Sequence, residues 1–155
     1  MTSQEAQARI LSASREINAD PGTIFELIAD PAVQPSWDGN DNLGEAAAGQ
    51  RVRGVGEVFV MTLGSGSVRD NRVVEFTEGR LIAWMPGEVG QEPAGHLWRW
   101  ELEPVDETRT LVTHTYDWTG LPDDAPERRL GRAKSTTADM LRASLELLAA
   151  LAEAS

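Results

Sequence analysis

The chain has 155 residues, 41% hydrophobic and 25% charged, which fits a single globular domain over residues 1–155 and excludes a disordered, collagen-like or low-complexity protein. Twenty-five acidic against fourteen basic residues leave a formal net charge of −11, a field that repels nucleic acid and anionic membrane surfaces and argues against either as a partner. There is no cysteine, so disulfides, zinc–thiolate sites and cysteine nucleophiles are ruled out.

Residues 8–17 carry apolar and polar residues without a turn former and read as a first strand. Asp20-Pro21 then supplies an acidic N-cap with proline at the first helical position. Ile24, Phe25, Leu27 and Ile28 give the ensuing short helix its apolar stripe, and Asp30-Pro31 stops it. A second short helical piece is expected over 32–37, followed by a loop from Asp38. Residues 51–63 alternate well enough for one long strand, Gly64-Ser65-Gly66-Ser67 turns the chain, and 68–77 with 81–86 form a hairpin across Glu78-Gly79-Arg80.

Strict alternation over 96–103 puts His96, Trp98, Trp100 and Leu102 on one face and Arg99, Glu101 and Glu103 on the other. Residues 109–119 alternate again, with Val112, His114, Tyr116 and Trp118 sharing a face, and the two segments are expected to pair antiparallel. From Pro126 to Ala154, apolar residues recur at three- and four-residue steps, the pattern of one long amphipathic helix. The sum is an α+β domain of about six strands, with two short helices after the first strand and a long C-terminal helix, the helices covering one face of an antiparallel sheet.

In this order, Ile17-Asn18-Ala19-Asp20-Pro21, Asp30-Pro31, Ser36-Trp37, Gly54-Val55-Gly56, the stretch Gly79 to Trp84, Trp98 to Pro104 and Thr108 to Thr113 together resemble the SRPBCC or START-like superfamily, in its bacterial polyketide cyclase/dehydrase and lipid-transport branch. The resemblance covers nearly the whole chain and rests on joint order and spacing. It implies a helix-grip fold, a curved antiparallel sheet around the C-terminal helix with an apolar cavity between them. Members hold lipids, polyketides or other hydrophobic compounds there, and a few catalyse cyclisation or dehydration, so the fold does not fix an activity.

Trp98, Trp100 and Trp118 on the inner faces are either packed core or cavity wall. Pairing Phe76 with Ile82 puts Val74 opposite Trp84 on the same face. Phe59 and Met61, with Met140 and Leu141 from the helix and Trp37 from the helical corner, complete an aromatic- and methionine-lined cavity. His114 lies beside an indole whichever of Trp98 and Trp100 it opposes, with Tyr116 two residues along. That pair suits polarising a ligand carbonyl or shuttling a proton, orienting a ligand, or a purely structural hydrogen bond. His96 belongs at the rim.

Arg128, Arg129, Arg132 and Lys134 at the start of the last helix read as a solvated face, with an entrance-side cation for an acidic ligand head group as the alternative. No metal-ligand set is apparent, Gly64 to Ser67 lacks the lysine and helix of a phosphate loop, and no cofactor is expected. The expected function is binding of a hydrophobic or amphipathic small molecule. A polyketide cyclase or dehydratase using His114 and Tyr116 is the alternative, and a co-chaperone-like protein-interaction module a third. No apolar run approaches the ~18 residues of a membrane span, and Met1 to Glu5 lack a signal peptide's basic start and apolar run. Stable membrane insertion is therefore not expected, and the cytoplasm is the expected location.

Overall fold

The computed structural model describes all 155 residues. Helix α1 (Ser3–Ala8) leads into strand β1 (Ile10–Ile17), followed by α2 (Pro21–Ala29), a 3₁₀ turn (Gln34–Ser36) and six strands: β2 (Leu43–Glu45), β3 (Val58–Leu63), β4 (Val68–Thr77), β5 (Leu81–Glu88), β6 (Leu97–Pro104) and β7 (Thr110–Asp117). Helices α3 (Glu127–Ser135) and α4 (Ala138–Glu153) complete the chain. The seven strands make one antiparallel sheet in the order β1-β7-β6-β5-β4-β3-β2. The first strand therefore closes against the last, and successive hairpins fill the rest.

Local chemistry accounts for the helices on the inner face. The Asp20 side chain accepts from the Thr23 backbone N–H at 3.2 Å, capping α2, with Pro21 in its first turn. Ile24, Phe25, Ile28 and Ala29 are its buried face. In α4, Leu141, Leu145, Leu148 and Ala152 fall on one side at helical spacing and are buried against β1, β7 and α2. Gly39 fixes where α4 sits: its N–H donates to the Ser144 hydroxyl at 2.8 Å, and a Cβ there would lie 2.4 Å from the Ser144 backbone nitrogen. Only glycine lets the loop approach the helix so closely. Gly95, at φ +126°, crosses against Gly120 in a similar way and sets the point at which β6 begins.

The structure departs from the sequence reading in five places. The long C-terminal helix is two helices, because Thr136 takes an extended ψ of 130° and Thr137 starts anew as the N-cap of α4, accepting from the Met140 N–H at 3.3 Å. Only the latter part of the expected long strand over 51–63 is strand, since Gly56, at φ +92°, breaks the extended run. A bulge between Val73 and Glu75 moves Val73, not Val74, opposite Trp84, although Phe76 does pair with Ile82. The short β2 brings the count to seven strands. Helix α1, absent from the sequence reading, is capped by Thr2 accepting from the Glu5 N–H at 3.1 Å.

Candidate functional site

A cavity of about 510 Å³ lies between the sheet, the 3₁₀ turn with the loop after it, α3 and the first turns of α4. Its floor is a ladder of rings on β6 and β7. The register pairs Trp98 with Tyr116 and Trp100 with His114, so all four side chains project from one face as cross-strand neighbours. The Trp98 and Tyr116 rings are 4.3 Å apart, and Trp100 stacks on His114 at 3.7 Å and 13°. Trp84 pairs with Trp98 from β5 and meets Phe59 edge-on at 5.4 Å. Trp37 meets Trp100 edge-on at 5.1 Å while donating its indole N–H to the Leu27 carbonyl at 2.8 Å. Met61 of β3 and Met140 of α4 line the sides.

Three residues expected at the cavity pack elsewhere. Phe76 meets Phe25 of α2 edge-on at 5.6 Å, Leu141 is buried in the core, and Trp118 lies just past β7 under the Arg9 guanidinium, 4.4 Å from its ring. The other expected wall residues, Trp37, Phe59, Met61, Trp84, His96, Trp98, Trp100 and Met140, do line it, as do His114 and Tyr116.

His114 and Tyr116 do not hydrogen-bond each other. His114 Nδ1 lies 3.1 Å from the Arg99 carbonyl; a carbonyl only accepts, so Nδ1 carries the proton and Nε2 the lone pair. Burial pushes His114 down to about 3, with the Arg99 hydrogen bond pulling the other way, so the ring is neutral at physiological pH. The Tyr116 hydroxyl instead meets His96 Nδ1 at 2.7 Å. Burial, followed by the charges of Arg132 and Arg129, lowers His96 to about 4. Burial likewise raises Tyr116 to about 12, the Thr136 hydroxyl and Arg132 opposing. The cavity thus holds two neutral imidazoles and a neutral phenol.

The sequence reading missed the polar share of the lining. Asn71, Asn40, Gln34 and Ser144 reach the wall. Arg128, Arg129 and Arg132 of α3, for which the sequence left a solvated face or an entrance-side cation open, line it too. Two buried polar atoms of the lining lack a protein partner, the Trp100 indole N–H and the Asn40 side-chain oxygen. Trp100 has no solvent exposure at all, so its unpaired donor costs roughly 1–3 kcal/mol unless something accepts from it.

The sheet thus grips a helix over an aromatic cavity. Residues 8–153 match the family described as polyketide cyclase / dehydrase and lipid transport, and the chain belongs to it. Among curated proteins it is 29% identical over 111 residues to the uncharacterized protein Rv0088 of Mycobacterium tuberculosis. That match spans 70% of this chain and 47% of the relative, so the chain spans about half the length of the curated relatives it matches. Among solved structures, protein MLL2253 from Mesorhizobium loti superposes with a TM-score of 0.66 at 18% identity, covering 94% of this chain and 98% of the other. A norcoclaurine synthase point mutant from Thalictrum, in complex with a transition-state analogue, gives 0.62 at 14% identity over 94% of each chain. These two likenesses establish the helix-grip fold. No helix of the chain is long and apolar enough to cross a membrane.

Proposed function

We propose that the chain binds a hydrophobic or amphipathic small molecule, a lipid, polyketide or similar aromatic, in the cavity between the sheet and the C-terminal helices. The observation that carries this reading is the 510 Å³ space walled by Trp37, Trp84, Trp98 and Trp100, with the Trp100 N–H unpartnered. Its volume lies in the range of sites that enclose one small ligand, and its indole rings supply flat apolar walls within a lining that is otherwise largely polar. Native mass spectrometry of the purified protein, followed by denaturing extraction, tests it. The expected result is an adduct whose released compound is apolar or amphipathic and whose uptake is lost in Trp98→Ala. A protein that neither retains nor takes up any such compound overturns the reading.

A second reading is favoured by one feature, the buried His114 ring, whose Nε2 carries the lone pair, in a cavity that also holds the Tyr116–His96 pair. A neutral imidazole with an open lone pair is a base, and a phenol is a proton donor, so cyclisation or dehydration of a bound polyketide is chemically available. Under this reading His114 removes a proton from carbon next to a carbonyl while Tyr116 hydrogen-bonds the oxygen on which charge collects. Turnover of a polyketide substrate that survives unchanged in His114→Ala would remove the assignment.

A further inference from the structure

The charges around the cavity run against those of the chain as a whole. The protein carries −11, yet four arginines, Arg69, Arg128, Arg129 and Arg132, line the cavity against two carboxylates, Asp38 and Glu88. Both carboxylates are already engaged. Asp38 accepts from the backbone N–H groups of Asn40, Asn42 and Leu43 at 3.2, 2.9 and 2.9 Å, which holds its own loop. Glu88 is shared between Arg128 at 3.1 Å and Arg129 at 3.8 Å. Arg132 pairs with no carboxylate of the chain.

Positions 128, 129 and 132 share one face of α3, and that face is the one that lines the cavity. The cations therefore gather at one end, beside His96 and Tyr116. From His96 along β6 to Trp100 is four residues, about 13 Å, with His96 and Trp98 half-buried and Trp100 fully buried. The cavity has polarity as well as volume: a cationic mouth and an aromatic floor. An anion at the mouth gains two or more charge-assisted hydrogen bonds from guanidinium forks, geometry suited to a carboxylate or sulfonate.

Resting on the ligand-binding reading, we propose that the natural ligand is an acidic amphiphile. Its single anionic group is bound by Arg132 together with Arg129 at the mouth, and its flat apolar body lies along Trp98. Glu88 competes with the ligand for Arg129 and so lowers its affinity.

A matched probe pair tests this on the full chain: 8-anilinonaphthalene-1-sulfonate and N-phenyl-1-naphthylamine, which have the same aromatic body with and without the anion. Dissociation constants come from probe fluorescence, and quenching of tryptophan emission reports the location. The expected result is that the sulfonate binds about tenfold more tightly or better, despite the net negative charge of the protein. Arg132→Gln, an exposed position whose exchange leaves the core intact, removes most of that preference and leaves the neutral probe within about twofold. Glu88→Gln acts in the opposite direction and tightens the sulfonate alone. Equal binding of the two probes to the wild-type chain, or equal weakening of both by Arg132→Gln, overturns the acidic-ligand proposal while ligand binding stands. Failure of both probes to bind and quench tryptophan overturns ligand binding and this proposal with it.

Discussion

Strands β6 and β7 run through two regions of the molecule that differ in everything except backbone. At one end, Leu102 opposite Val112 lies under α2 and α4 and is packed solid with Ile28, Ile82, Leu145 and Leu148, each no more than 4% exposed. At the other end, Trp98 opposite Tyr116 and Trp100 opposite His114 line the cavity as stacked rings, Trp98 half-buried and the other three buried. Aliphatic side chains with no polar atoms interdigitate and fill their half. Rings that stack on one another present flat faces and polar tips, and α3 offers nothing to fill the gap, since Ala133 is its only buried residue. The difference teaches that the same two strands carry a packed aliphatic end and a cavity-lining aromatic end.

The largest expected effect comes from the packed end. Leu148→Ala removes a fully buried side chain from α4 and should cost about 2–5 kcal/mol, read from denaturant melts with the slope unchanged. Trp98→Ala, at the open end, should cost less although it deletes a larger side chain, because one side of the indole already faces the cavity. Equal losses would mean that the two ends are packed alike and would break the comparison.

The next effect concerns His114. Its folded-state value is depressed to about 3, so between the ordinary histidine range and that value the unfolded chain binds a proton that the folded chain does not. Stability therefore falls as pH drops below about 6.5, on the order of 1.5 kcal/mol between about pH 6.5 and pH 5 from this group alone. His96, lowered to about 4, adds a contribution of the same sign. Asp106, held down to about 2 by the Thr108 backbone N–H and the Arg109 side chain, contributes only at lower pH. The window above the carboxylates thus isolates the imidazoles. His114→Gln should flatten the slope there, and an unchanged slope would show that His114 is not held neutral by burial.

How much of this was legible in the sequence follows the same division. Alternation with period two declared the inner faces of β6 and β7, because a strand exposes its parity directly, and the ladder of Trp98, Trp100, His114 and Tyr116 followed from it. The partners of the two histidines were not legible. His96 meets Tyr116 diagonally, two residues before Trp98, which pairs with Tyr116, so the contact depends on a β6–β7 register that alternation alone does not fix. The break between α3 and α4 did have one: Ser135-Thr136-Thr137 ahead of Asp139 is a run of capping residues. Helical spacing on both sides masked it. Helix α1 was similarly marked by Thr2 three residues before Glu5.

The cap at that break gives the third prediction. Thr137 accepts from the Met140 N–H at the start of α4, so Thr137→Ala should cost about 1 kcal/mol. Thr137→Asp should restore it, since an anion also suits a helix N-terminus. If neither change moves the melting midpoint, α4 begins without help from this cap and the two helices behave as one.

The smallest effect sharpens the comparison most. Gly131 lies inside α3 with nothing within 4 Å of where a Cβ would stand, so Gly131→Ala should favour that helix by at most about 1 kcal/mol. Helix α3 buries little and has no side-chain N-cap, which are the features of a segment that opens without global unfolding. The gain should then appear as slower amide exchange in α3, by up to about fivefold, while the melting midpoint and exchange in α4 hardly change. A rise in the midpoint with equal slowing in α4 would join the two helices into one cooperative unit. The mouth of the cavity would then open only when the packed end does, and the separation of the two ends of β6 and β7 would fail.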